Sequence, residues 1–558
     1  MTVTGAGRTP PPTRMLPRVG RSALLVVPLA FLSVFFVYPV ASIVLLGLRP
    51  DGEWSLDVFA HVLTRRSVLE VVWFTLWQAT VSTALTLLVG MPGAYMLARF
   101  DFPGRRLIRA AIVVPFVLPT VVVATAFLGL IGPRGVLGEV ANLQNTVWAI
   151  LIAHAFFNYA VVVRSVGGLW SHLDPRIEEA ARVLGASRWR TFREVTLPLL
   201  RPAVASAAAI VFLFTFTSFG VVLVLGGPTR ATLEVEVVRA TRDLLDLPLA
   251  SVLAVLQLAA VLSVLVVYGR LQGRAGFRQR LRAQTEVARP PRGGREWGLV
   301  GANLAVMAAL LGAPVAVLVE RSFRTAAGYG WGFYEALGTS RRGTILFVPP
   351  LEAVRNSVVF AVAATAIALV VGGMAATALA GRRGRRARWI DIVLMLPLGT
   401  SAVTVGFGFL IALDSPPLDL RASPLLIPIA HALVAMPFVV RILLPVLRSI
   451  DPRLREAAAV LGASPARVWR EVDLPIVGRA ALVAAGFAFA VSLGEFGATL
   501  LIARADLPTM PIAIFRFLGQ PGALNFGQAM AMSTILAAVT ATAVLLIERF
   551  RVGDFGEF

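Results

Sequence analysis

Apolar runs constrain this chain more than any other feature. About twelve of them, at roughly 23–48, 71–98, 110–131, 147–168, 202–225, 250–268, 298–319, 355–380, 392–412, 425–447, 479–502 and 527–547, approach or exceed the length that crosses a bilayer as a helix. In lipid, backbone N–H and C=O groups must be satisfied within the segment, so continuous runs of this length are helices. Hydrophobic residues make up 57% of the 558 and charged residues only 15%, which excludes a string of soluble domains. The expected fold class is an all-α polytopic membrane protein.

In a soluble protein a net charge of +21 would suggest a nucleic-acid partner; here it reports topology. The short loop after the second run holds Arg99, Arg105, Arg106 and Arg109, and its counterpart after the eighth holds Arg382, Arg383, Arg385, Arg386 and Arg388. The central loop has eight Arg against Glu286 and Glu296, whereas loops on the opposite side are nearly neutral. The positive-inside rule then places both termini and the central linker in the cytoplasm, and no nucleic-acid partner is expected. Arg8, Arg14, Arg18 and Arg21 precede a first run too long for a signal-peptide core, so it is read as an uncleaved helix after a disordered lead-in marked by Pro10 to Pro12. With no Cys, disulfides, thiolate metal sites and Cys nucleophiles are excluded.

The chain repeats itself. Residues 174–198 read DPRIEEAARVLGASRWRTFREVTLP and residues 451–475 read DPRLREAAAVLGASPARVWREVDLP. Glu456 and Gly462 each lie 277 residues after their counterparts Glu179 and Gly185, as do His431 after His154 and Arg441 after Arg164. Earlier in each half, Phe74–Gly90 aligns with Asn356–Gly372, and Pro115 with Pro397, at an offset of 282. An even number of spans per half gives both halves the same orientation. The reading is two parallel six-helix repeats about an axis along the membrane normal. The expected divisions are a cytoplasmic segment 1–22, a first half 23–268, an Arg/Pro-rich linker 269–297 containing RPPRGGR at 289–295, and a second half 298–558.

Each repeated string reads as a cytoplasmic helical hairpin. Asp174-Pro175 and Asp451-Pro452 are helix starts, Asp capping free N–H groups and Pro suiting the first position. Gly185 and Gly462 stop the helix, and Ser187 and Ser464 cap a second one, which Leu197-Pro198 and Leu474-Pro475 are expected to end. Ala180-Ala181 and Ala457-Ala458 offer a small-residue face for close approach. A single copy would equally suit an amphipathic loop lying on the membrane. Two copies at equivalent places in a duplicated chain ask for a common partner.

Both hairpins fit Glu-Ala-Ala-x3-Gly, then nine residues, a hydrophobic residue, one residue and Leu-Pro. This resembles the signature loop of ABC importer permeases, and the likeness in layout covers nearly the whole chain. The resemblance implies the type I ABC importer permease fold in a bacterial inner membrane. It implies that Glu179, Ala180, Ala181 and Gly185, with Glu456, Ala457, Ala458 and Gly462, dock two copies of an ATPase subunit. It also implies an extracytoplasmic solute-binding protein. The chain has no Lys, so the P-loop G-x-x-x-x-G-K-[ST] is absent; ATP would be used by the partner, with no catalytic residue and no cofactor held here. Asp101 to Arg106 also fits the D-x-x-G-R-R core of major-facilitator transporters, but Gly381 to Arg386 lacks the Asp and that family has no use for paired hairpins.

Polar residues inside spans are costly and are candidates for the transport path. Glu495 in Ser-Leu-Gly-Glu-Phe-Gly stands where the first half has Ser218. As a pore acid it would favour a cation; the alternative is a position at a span's end or an ion pair. Phe219 and Phe496 suggest an aromatic constriction. His154 and His431 occupy matching positions and suit either helix packing or the path, and Asn158 is equally open. No metal site is expected. Fused double-length permeases are typical of the thiamine and ferric-iron importers. Phe74–Ala79, Phe102–Arg105, His154–Asn158, Gly226–Thr232 and the Glu495 segment look more like the thiamine permeases, with iron the alternative.

Overall fold

The computed structural model describes residues 18–49, 52–140, 142–274, 288–339, 346–382, 384–416 and 418–550. The expected segment 1–22 falls largely outside these residues, as do Arg383, Glu286 and much of the linker. Ten helices are long and apolar enough to cross a membrane: Leu24–Leu48, Arg66–Arg99, Val147–Trp170, Arg188–Phe216, Leu247–Val267, Gly293–Phe323, Pro350–Ala380, Leu426–Ser449, Ala466–Gly494 and Ala523–Ile547. The third and ninth runs bring the number to twelve, but neither is a straight span. Arg105–Val117 and Thr120–Ile131 meet at 102°, and Arg385–Gly399 and Ala402–Ala412 at 94°. In the first, Leu118 is extended because it precedes Pro119. In the second, extended Ser401 restarts the helix by accepting hydrogen bonds from the N–H groups of Val403 and Thr404. Apolar composition does not register such bends.

The fifth and eleventh runs depart from expectation at both ends. Leu-Pro does not end the hairpin's second helix. Phe192–Thr196 and Trp469–Asp473 are single wide π turns immediately before Leu197-Pro198 and Leu474-Pro475, and the helix continues through them. Proline has no N–H and crowds the preceding carbonyls, and one wider turn accommodates it without breaking the helix. The same device precedes Pro39 (Ser33–Val37) and Pro314 (Ala308–Gly312), so the duplication is visible in the helix irregularities as well. At the far end, the runs 202–225 and 479–502 each divide. The helix stops at Phe216 or Gly494 and resumes as Gly220–Leu225 or Gly497–Ile502.

The halves are continuous in sequence but interlocked in space. Leu32 and Phe36 of the first span join a core cluster otherwise drawn from the second half, including Phe360 and Phe409. A Cβ on Gly408 would lie 2.8 Å from Pro39 Cβ. Reciprocally, Leu311 and Leu318 of the seventh span belong to the cluster built around the first half. Within each half the second and fourth spans approach closely at small residues. A Cβ on Gly90 would lie 2.8 Å from Val162, and one on Gly372 3.0 Å from Val439, the same contact one repeat later. A two-residue antiparallel ladder, Arg324–Thr325 with Gly328–Tyr329, accompanies the helices.

Candidate functional site

The two hairpins form as their residues dictate. Asp174 and Asp451 each accept a hydrogen bond from the N–H two residues on, opening helices Pro175–Val183 and Pro452–Val460. Gly185 (φ +86°) and Gly462 (φ +82°) take the left-handed conformation that ends them. Ser187 and Ser464 then cap the second helix, accepting from the N–H groups of Arg190 and Arg467. Glu179, Ala180 and Gly185 are exposed and Ala181 is half-buried; Glu456, Ala457, Gly462 and Ala458 repeat that pattern.

The sequence reading overlooked the apolar tip. Val183 and Leu184 are each 87% exposed, and Val460 and Leu461 86% and 87%. Ile177 and Trp189 in the first hairpin and Leu454 and Trp469 in the second are exposed as well, so each hairpin carries an apolar patch of the kind that meets a protein partner or a membrane. The signal was there, as Val-Leu directly before each Gly, but only the Gly stop and the small-residue face were read from that stretch.

Each hairpin is anchored at its base. Glu178 accepts from Arg99 Nη2 (2.9 Å) at the end of the second span and from Thr196 Oγ1 (3.0 Å) at the start of the fifth. Arg455 instead donates to Asp473 Oδ1 at 2.8 Å. The Asp101–Arg106 loop serves the same region. Arg105 and Arg109 cap the Leu97 carbonyl, and Asp101 N–H donates to the Arg289 carbonyl of the linker. The Arg289 guanidinium lies over the Phe100 ring and pairs with Glu296 at 2.6 Å, which raises its already high pKa.

The second site lies where the fifth and eleventh spans break. The Glu495 carboxylate accepts from Ala498 N (2.8 Å) and Thr499 N (3.0 Å), capping the short helix Gly497–Ile502, and from the Thr499 hydroxyl. His431 Nε2 lies 3.2 Å from Glu495 Oε2 and 2.8 Å from Thr499 Oγ1, while its Nδ1 meets Ser492 Oγ at 2.7 Å. In the first half His154 reaches Ser218 Oγ (2.8 Å) with Nε2 and Ser82 Oγ (2.9 Å) with Nδ1. Both histidines therefore tie a fourth-type span to the break beside it. Asn158 donates to the His154 carbonyl one turn back. Glu495 is buried and at a span's end, one of the two positions the sequence left open, and there its carboxylate caps a helix.

At the breaks the two halves meet. Phe219 and Phe496 stack with centroids 5.3 Å apart, and Phe515 packs against Phe496 at 5.5 Å. Gly220 has no room for a side chain, since a Cβ would lie 2.4 Å from Thr120 Oγ1 and 3.4 Å from the Phe496 ring. A further acid was missed because it falls between apolar runs. Glu234 is buried and accepts from Gln257 Nε2 at 2.7 Å, with Ser401 of the opposite half nearby.

Residues 87–280 match the family described as binding-protein-dependent transport system inner membrane component. Over 551 residues, 95% of this chain and 96% of the relative, the sequence is 25% identical to a probable ABC transporter permease of Sinorhizobium fredii. Over 539 residues, 93% and 94% of the two chains, it is 28% identical to the thiamine transport system permease of Brucella abortus. The sulfate transport system permease of Escherichia coli, 33% identical over 272 residues, is covered to 96% of its length by 48% of this chain. A relative of single length is thus matched by half of this one, while relatives of double length are matched end to end. This chain is a double-length permease of the ABC importer class, resembling the thiamine permeases.

Proposed function

We propose that this chain forms the translocation path of an ABC importer for a small cationic solute, thiamine, with both termini in the cytoplasm. Two copies of an ATPase subunit dock on the hairpins and hydrolyse the ATP, and an extracytoplasmic binding protein delivers the solute. The observation that carries this reading is the pair of capped hairpins with exposed Val183-Leu184 and Val460-Leu461. Two equivalent sockets call for two equivalent motors. The stacked Phe219 and Phe496 then close the path between the halves, and Ser218, His154, Asn158, His431 and Glu495 frame the breaks on which those rings sit.

Thiamine is supported by full-length likeness to thiamine permeases and by the aromatic closure, since an aromatic cation stacks on phenylalanine and is attracted to its ring faces. The test is reconstitution of the permease in liposomes with its ATPase and binding protein. ATP-dependent uptake of labelled thiamine, competed by unlabelled thiamine and not by ferric iron, is the expected result. Uptake of iron alone would replace the solute, and uptake driven by an ion gradient without ATP would overturn the importer reading.

A further inference from the structure

Beyond the breaks each half carries a further short helix, Leu233–Arg242 and Met510–Leu518. The two start alike. Leu233 N–H donates to Thr75 Oγ1 (3.1 Å) and Met510 N–H to Ser357 Oγ (2.7 Å), at the same offsets of 277 and 282 found in the sequence. The residue that follows is Glu234 in the first half and Pro511 in the second. A shared hydrogen bond thus fixes the equivalence, and only the first half places an acid there. Both helices adjoin the aromatic closure. The second supplies Phe515, which packs on Phe496. The first is tied to the break that carries Phe219, because Thr232 Oγ1 donates to the Ser218 carbonyl at 3.1 Å.

Glu234 lies two residues beyond Thr232, against Gln257 of the sixth span and near Ser401 at the bend of the ninth run. Elements of both halves therefore meet at this carboxylate, and its neighbours are neutral. Glu234 is 3% exposed, and among the described residues no cation pairs with it. Burying an acid without a counter-charge is costly, above all in a membrane protein. Gln257 is 1% exposed; its Nε2 donates to Glu234, while Oε1 of the same amide has no hydrogen-bond partner. Acceptors are thus in excess where the halves meet, and what the cluster lacks is a cation.

We propose that Glu234 is the specificity-determining residue for the solute's positive charge: when Phe219 and Phe496 part, its carboxylate pairs with the cation that passes between them. This rests on the proposed import of a cationic solute and adds the group that recognises the charge. The rings recognise the flat aromatic part of such a solute, and the acid beside them recognises its charge.

The test is thiamine uptake by the reconstituted complex of permease, ATPase and binding protein. The amide of Glu234→Gln can still accept from Gln257 but carries no charge, whereas Glu234→Asp keeps the charge on a shorter side chain. Uptake should fall about tenfold or more in Glu234→Gln, as for loss of one charged hydrogen bond, without a lower unfolding midpoint. Glu234→Asp should be the better transporter of the two. Undiminished uptake in Glu234→Gln would overturn the proposal. So would the reverse order, with Glu234→Asp and Gln257→Leu losing midpoint and uptake together, since that is the signature of a structural hydrogen bond. The chain has no Cys, so Glu234→Cys provides a unique thiol. It should resist a cationic thiosulfonate at rest, react after trapping with ATP and vanadate, and be protected by thiamine. A thiol unreactive in both states would take Glu234 off the path. Absence of thiamine uptake by the unaltered complex would overturn the proposed solute instead, and the thiol's reactivity would still decide whether Glu234 meets the path.

Discussion

Phe219 and Phe496 lie one on the other at an interplanar angle of 27°, each supplied by the break in the fifth or eleventh run of its own half. The breaks are what place them there. A continuous helix through residues 217–219 or 495–496 would aim each ring elsewhere. In the second half Glu495 supplies the cap that lets the chain restart, and in the first half Ser218 is held by His154. The contact is thus the meeting point of the two repeats, and under the proposed function its separation would open the path.

Truncating one ring should make the closure leak. Stacked aromatic pairs contribute about 0.5–1.5 kcal/mol beyond area burial, so Phe496→Ala removes both a seal and a stabilising contact between halves. We expect passive efflux of thiamine from preloaded proteoliposomes without ATP. The Phe219→Ala/Phe496→Ala double variant should leak little more than either single one. Tight vesicles in all three variants would remove the pair from the path.

Glu495→Gln separates capping from solute recognition. An amide has one acceptor oxygen where the carboxylate has two, so one of the Ala498 and Thr499 N–H groups loses its partner at a cost of about 1–2 kcal/mol. The expected outcome is a lower unfolding midpoint by Trp fluorescence with an unaltered KM for uptake. A raised KM at unchanged stability would return the carboxylate to the solute.

The close approach of paired spans predicts equal sensitivity in the two repeats. Gly90→Leu and Gly372→Leu force side chains into Val162 and Val439, and overpacking of this kind costs about 1–3 kcal/mol. Both variants should lose folded yield in detergent by similar factors. Loss in one alone would mean that the repeats do not pack alike.

Much of this was legible in the sequence, for reasons that differ by residue. Apolar length reported the spans, and Asp-Pro, Gly and Ser reported the hairpins, because capping chemistry is local. The bends at Leu118-Pro119 and Thr400-Ser401 were hidden because hydropathy is indifferent to direction. The exchange of the first and seventh spans between halves was hidden because chain order says nothing of which half a lone helix packs on. Glu495 was found as an outlier in an apolar run, but its role depended on Ala498 and Thr499, whose N–H groups are free only because the helix breaks there. Glu234 lay in what composition made a loop.

The exposed tips predict a selective defect. Leu184→Asp with Leu461→Asp changes no buried contact, so the permease's own stability should move by no more than about 0.5 kcal/mol. Association with the ATPase should weaken by about 2 kcal/mol or more, as for an apolar anchor in an interface. Co-purification of the ATPase at the native ratio would contradict the docking assignment.

The most direct test is coupled ATP hydrolysis in the Gly185→Val/Gly462→Val double variant. Nothing lies within 4 Å of a Cβ at either position, so a valine side chain meets no obstacle, but φ near +80° is strongly disfavoured for a β-branched residue. The hairpin tips should be displaced while the spans insert normally. The account predicts a membrane-inserted protein whose partner ATPase no longer responds to solute-loaded binding protein and which takes up no thiamine. Full stimulation and uptake by an inserted double variant would contradict it.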